Sequence, residues 1–206
     1  MELNIFTITY LFLRLAPFIL VCFFSLSSIF NQDFKGLVYL IGLLVTIFIL
    51  ITVGNPIMKL LPELSVNGQE NPICSNLITL GHTSLTSLPL GQAIFGYTFF
   101  YLLYLILKYQ YVKSNIPTLV FFPFIIVFDI IWNITNNCMT IGPLLISLII
   151  GGGMGALWAF MIDKTKMTNL QYFNKVSGNA ECSRPAKNTF KCNVYKNGKL
   201  VSSNLG

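Results

Sequence analysis

Residues 36–53 read GLVYLIGLLVTIFILITV, eighteen positions without one Asp, Glu, Lys or Arg. A helix of about 20 apolar residues crosses a hydrocarbon core about 30 Å thick, and inside that core every backbone N–H and C=O must be satisfied within the segment. This stretch has the length and the purity for that task. It shows neither the alternation of a half-buried strand nor the polar face of a surface helix.

Working outward, four further segments share the pattern: one within Ile5–Phe30, which contains Arg14, then Thr83–Leu107, Ile116–Ile131 and Ile141–Ile162. Arg14 and Asp129 are the only charges in all five. The 206-residue chain is 54% hydrophobic and 10% charged, where a soluble domain needs about 25% charged residues to wet its surface. An ordinary soluble globule is excluded, as are a disordered chain, a collagen and a disulfide scaffold. The expected fold class is an all-α integral membrane protein. Its membrane domain spans residues 1–162 as a bundle of five, or six, transmembrane helices in a lipid bilayer.

The first segment is the least regular. Glu2 and Arg14 argue against a cleaved signal, although Ser25, Ser27 and Ser28 mimic its small-residue end. Residues 2–14 read as an interfacial or tilted helix leading into a span that Pro17 kinks. A polar stretch from Asn55 to Leu80, with Pro56, Pro62, Pro72 and the turn pair Asn67-Gly68, reads as the one long loop. The other connections, 31–35, 108–115 and 132–140, are short.

Residues 163–206 are different in character. Lys164, Lys166, Lys175, Arg184, Lys187, Lys191, Lys196 and Lys199 face only Asp163 and Glu181, so this tail carries the whole net charge of +6. The positive-inside rule then places the tail, and the Lys108/Lys113 loop, on the cytoplasmic side or inside a particle budded from it. The 54–82 and 132–140 loops fall outside. Within the tail, residues 189–196 alternate roughly and Asn197-Gly198 precedes Lys199-Leu200-Val201, the pattern of a β-hairpin with a type I′ turn. Its eight cations admit three readings: an orientation tag, an anionic-lipid clamp, or a docking arm. Basic and aromatic tail residues, Arg184 and Lys187 before the hairpin and Phe190, Lys191 and Tyr195 on it, favour a protein partner. Nucleic acid has no motif beyond charge to support it.

His82, the single histidine, stands at the outer mouth of the third span and is a site candidate by its depth. Asp129 lies in the same outer half, near the end of the fourth span, and the two would be able to meet as a carboxylate–imidazole pair. Asn133 follows on the same helix face, Asn136 and Asn137 in the next loop, and Asn76 in the long loop, forming a candidate polar cluster. The bland readings are an interfacial histidine and polar helix-to-helix packing. Gly151 and Gly155 form a small-xxx-small pair suited to close helix contact, either within the bundle or in self-association. Gly151-Gly152-Gly153 is no phosphate loop, since no Gly-Lys-Ser/Thr follows. No metal site or cofactor is expected: Cys182 and Cys192 have only one distant His to join them. Cys74 and Cys138 share the outer side and would pair there if it is oxidising. Asn133-Ile134-Thr135 is a formal glycosylation sequon set close to the membrane.

The run Cys74-Ser75-Asn76-Leu77-Ile78-Thr79-Leu80-Gly81-His82-Thr83 resembles the Ser-Gly-His-Thr block of the type 2 phosphatidic acid phosphatase superfamily, in particular its sphingomyelin-synthase-like branch. The order of the following pieces is similar too: span, inner loop, span, outer loop, Gly-rich span. The resemblance implies a lipid-phosphatase-like core with His82 as a catalytic acid. Leu80 and Asn76 stand where that family has a serine and an acid. Where it carries a phosphate-binding Arg, a nucleophilic His and an Asp, this chain has Asn136-Asn137, Pro143 and Ser147. An acid without its nucleophile does not complete a two-step phosphoryl transfer.

Cys182-Ser183-Arg184-Pro185, Phe190-Lys191-Cys192 and Val194 to Gly198 resemble the tails of multispanning membrane proteins of large cytoplasmic DNA viruses. That likeness implies a virion internal membrane and a capsid or other structural protein as partner. The expectation is therefore a structural or scaffolding membrane protein with a degenerate lipid-phosphatase-like core. The alternatives are an active lipid phosphatase or phosphotransferase using His82, and a small-molecule transporter.

Overall fold

The computed structural model describes residues 5–32, 34–60, 88–165, 170–171, 191–196 and 199–205. Five α-helices make up the first unit: α1 (Ile5–Asn31), α2 (Lys35–Leu60), α3 (Leu90–Lys108), α4 (Ile116–Thr135) and α5 (Ile141–Lys164). Helices α2 to α5, of 19 to 26 residues, are each long and apolar enough to cross a membrane. At 1.5 Å per residue they measure about 29–39 Å, against a hydrocarbon core of about 30 Å. Helix α1 includes the apolar stretch Leu15–Asn31.

Side chains are distributed inside out relative to a soluble protein. Tyr39, Tyr97 and Tyr101 are fully buried, whereas Phe48 is 67% and Ile149 71% exposed. That outward apolar belt demands a lipid solvent, because a soluble monomer rarely tolerates large contiguous apolar patches. Hydroxyls along the spans donate to their own helices: Ser25 to Val21 O, Thr46 to Gly42 O and Thr98 to Ile94 O, at 2.7, 2.8 and 2.7 Å. Such local bonds satisfy polar groups where no water is at hand.

Helices α3 and α5 form the closest pair, and they run parallel. Gly151 lies against the Ala93 backbone and Gly155 against that of Tyr97, while at their far ends Lys108 pairs with Asp163. Helix α4 returns between them, with Phe122 stacked near Phe99 at a centroid distance of 6.1 Å. On the other side α2 is bound in by polar contacts. Tyr97 donates to Tyr39 O at 3.1 Å, and Trp158 Nε1 donates to Val38 O at 3.1 Å. Tyr39 and Thr98 share a 2.6 Å hydroxyl–hydroxyl bond. Since Thr98 already donates to Ile94 O, Tyr39 is the donor in it. Helix α1 packs on α2 where Gly36 meets the Phe24 carbonyl and Ser28.

Three helix boundaries differ from the sequence reading. The third span, expected from Thr83, forms helix α3 only from Leu90, with Pro89 as its N-cap, because a proline suits a helix start and not its interior. Helix α2 continues past Asn55 to Leu60 with Pro56 inside it, because a proline removes one hydrogen bond without ending a helix whose neighbours hold it. Helix α4 runs through Trp132 to Thr135, closed by a Schellman cap in which Asn137 N donates to Ile134 O and Cys138 N to Asn133 O, at 3.1 and 2.9 Å. Between α3 and α4 the chain makes a 3-10 turn, Val112–Ser114.

The second compact unit is Phe173–Gly206. Within it β1 (Lys191–Lys196) and β2 (Lys199–Leu205) pair antiparallel, from Lys191↔Leu205 to Lys196↔Lys199, with an irregularity between Val194 and Tyr195. The turn type expected at Asn197-Gly198 lies outside the described residues.

Candidate functional site

Of the polar residues singled out in the sequence, Asp129, Asn133, Asn136 and Asn137 belong to the last turns of α4 and the loop that follows it. His82 and Asn76 lie outside the described residues, so the expected meeting of His82 with Asp129 does too. Asp129 lies near the end of α4 and is half-buried, three residues after Ile126 and four before Asn133, both buried.

The asparagines are committed locally. Asn133, 7% exposed, donates through Nδ2 to Asp129 O at 2.8 Å. Asn136 donates in the same way to Trp132 O at 2.9 Å. Asn137 adopts φ 53° and is exposed, the conformation its cap requires. These amides secure the end of α4 by returning to their own carbonyls. Cys138, in the same loop, is disulfide-bonded, and Cys22 is not its partner.

Gly151 and Gly155 are spent inside the chain, on the α3–α5 seam. Of the tail residues, Arg184, Lys187 and Phe190 lie outside the described residues, whereas Lys191 and Tyr195 belong to β1. Among the described residues no three His, Cys, Asp or Glu side chains gather as metal ligands would.

Two further residues were not singled out as a polar pair by the sequence. Gln92 and Ser147 are completely buried. Among the described residues, Gln92 Oε1, Gln92 Nε2 and Ser147 Oγ have no hydrogen-bond partner. The available signal was a lone amide within an apolar span, set just behind Pro89.

No family model, no curated protein and no solved structure matches the chain. The fold itself defines a class: a multi-pass helical membrane protein, its apolar helices directed at lipid.

Proposed function

We propose that this chain is a structural or scaffolding membrane protein with five spans, α1 included, a degenerate lipid-phosphatase-like core and a basic hairpin tail that docks on a protein partner. The observation that carries the reading is the local commitment of the outer-end amides. Asn133 and Asn136 return to carbonyls of α4 at 2.8 and 2.9 Å, where a phosphoryl-transfer site needs side chains directed at a substrate. The glycine-packed seam at Gly151 and Gly155 further suits a rigid bundle.

Orientation follows from charge. Lys35, Lys108, Lys113 and Lys164 belong to the end of the bundle from which the tail leaves, and Lys59 to the other. The positive-inside rule assigns the first end, and the tail, to the cytoplasm or to the interior of a virion-like particle. A capsid or other structural protein of a viral internal membrane is the partner this reading implies.

Purified protein in nanodiscs, offered phosphatidate-like lipids of several headgroups, should release no phosphate and exchange no headgroup. Turnover abolished by His82→Ala would replace this reading with an active phosphotransferase. Truncation after Lys166 should leave insertion intact and abolish co-purification of the partner. If the truncated chain keeps its partners, the tail is an orientation tag alone.

A further inference from the structure

Between α1 and α2, toward the end of the bundle where α1 stops and α2 begins, lies an open cavity of about 400 Å³. Ser25, Ser28, Ile29 and Gln32 line it from one side, Phe34, Leu37 and Leu40 from the other. It borders the place where the two helices touch, with Gly36 against Ser28 and the Phe24 carbonyl. Its volume suits a small molecule, and clefts between helices are a common place for one.

The cavity changes character along its length. Gln32 and Phe34 stand at the helix ends, whereas Ser25 lies six residues before the end of α1 and Leu40 five after the start of α2, about 8–9 Å further in. At the deep end Ser25 has already given its hydroxyl hydrogen to Val21 O, at 2.7 Å, and so accepts an apolar neighbour without an unmet donor. At the mouth Gln32 is exposed, and its amide offers both donors and lone pairs. Ile29 and Phe34, 68% and 70% exposed, and Leu37 belong to the apolar belt that lipid covers.

These walls select the occupant. Water alone would leave Ile29, Phe34, Leu37 and Leu40 against a polar solvent, and a pure hydrocarbon would leave the Gln32 amide without a partner. An amphiphile lying along the helices satisfies both, with its polar part at the mouth and its chain toward Leu40. The bilayer supplies one in place: the cavity opens onto the lipid-facing belt, and its mouth is level with the helix ends, where headgroups begin. We propose that the cavity binds one phospholipid, its ester and headgroup region at Gln32 and an acyl chain along Ile29, Leu37 and Leu40. Held there, the lipid ties α1 to α2 beside their contact at Gly36. The site goes beyond the scaffolding reading, since such a lipid would serve a bundle with any role.

The full chain in phosphatidylcholine nanodiscs would be irradiated with a trace of phosphatidylcholine carrying a diazirine in its acyl chain, and the adducts mapped by mass spectrometry. Ile29, Leu37 and Leu40 should collect about tenfold more adduct than Val120 and Phe160. Those two are exposed at a matching depth of the same end, four residues from the start of α4 and from the end of α5. Diazirine-labelled fatty acid and sterol should show no such preference. Leu37→Trp, which fills the cavity from an exposed position, should erase the preference at Ile29 and Leu40, and Gln32→Ala should weaken it. An even distribution over all five positions in the wild-type chain would make the cavity an ordinary part of the lipid annulus and overturn the site. A preference shown equally by the fatty acid or the sterol would overturn the phospholipid assignment. A preference at Ile29 that Leu37→Trp leaves unchanged would overturn the site too.

Discussion

Gly155 of α5 lies so close beneath the Tyr97 carbonyl of α3 that a Cβ has no room there, and Gly151 bears the same relation to Ala93 one turn earlier. Between them, Gly153 has nothing within 4 Å of where a Cβ would stand. One helix thus carries glycines of opposite meaning. Gly151→Val and Gly155→Val should each destabilise by about 3 kcal/mol or more, because backbone rather than a yielding side chain must move. Gly153→Ala should be neutral or stabilising by up to about 1 kcal/mol, the helix-propensity difference. Thermal midpoints in detergent separate these outcomes, and equal losses at all three positions would refute the seam.

The tyrosine cluster predicts a smaller, graded effect. Tyr97→Phe removes a buried bond to Tyr39 O and should cost about 0.6–1 kcal/mol, the usual range for one such bond in a membrane protein. Gly42→Ala should cost more, since its Cβ would meet the Tyr97 hydroxyl and the Trp158 indole together. The same unfolding series checks the ranking. A Tyr97→Phe loss exceeding that of Gly42→Ala would mean the hydroxyl, not the close approach, holds α2 in place.

The spans were legible in the sequence because their signal is compositional: an uncharged run such as 36–53 has no stable alternative in water. Helix ends were less legible. Asn55-Pro56 looks like a stop, yet a proline ends a helix only when the freed carbonyl is better matched elsewhere, and α2 runs on to Leu60. Trp132 and Asn133 were read as loop, although i→i−4 amide bonds and a left-handed asparagine hold helical structure to Thr135. The burial of Gln92 and Ser147 was illegible for another reason. It depends on which turn of α3 faces which turn of α5, a register set by the glycine contacts and by no local pattern.

Gln110 closes α3 at φ 56°, its N–H donating to Leu107 O while Tyr111 N donates to Ile106 O, at 3.3 and 3.0 Å. This is the position where helices prefer glycine. Left-handed backbone costs a residue with a Cβ about 1–2 kcal/mol, so Gln110→Gly should stabilise by about 0.5–1 kcal/mol, the gain falling short because glycine is freer when unfolded. Asn137→Gly, at φ 53°, should gain less, as asparagine tolerates this region. Gln110→Val should destabilise. If Gln110→Gly lowers the midpoint instead, the side chain holds α3 by a contact the cap does not explain.

Cys138 is disulfide-bonded beside the cap of α4, and Cys22 in α1 is a free, half-buried thiol. Along the chain the 24-residue α5 intervenes between Cys138 and both Cys182 and Cys192, whereas Cys74 belongs to the sequence that joins α2 to α3. Cys74 is therefore the expected partner, which requires the Cys138 face to be oxidising and the basic tail to lie on the reducing side. Under non-reducing denaturation, Cys74→Ser and Cys138→Ser should each expose one thiol to maleimide that the wild-type chain hides. Cys182→Ser and Cys192→Ser should each remove one that it shows. Loss of the bridge should cost about 2–4 kcal/mol, equally from either side, and the double variant should be no worse than the single ones. If Cys74→Ser left Cys138 unreactive, both this pairing and the assignment of the two faces would be wrong.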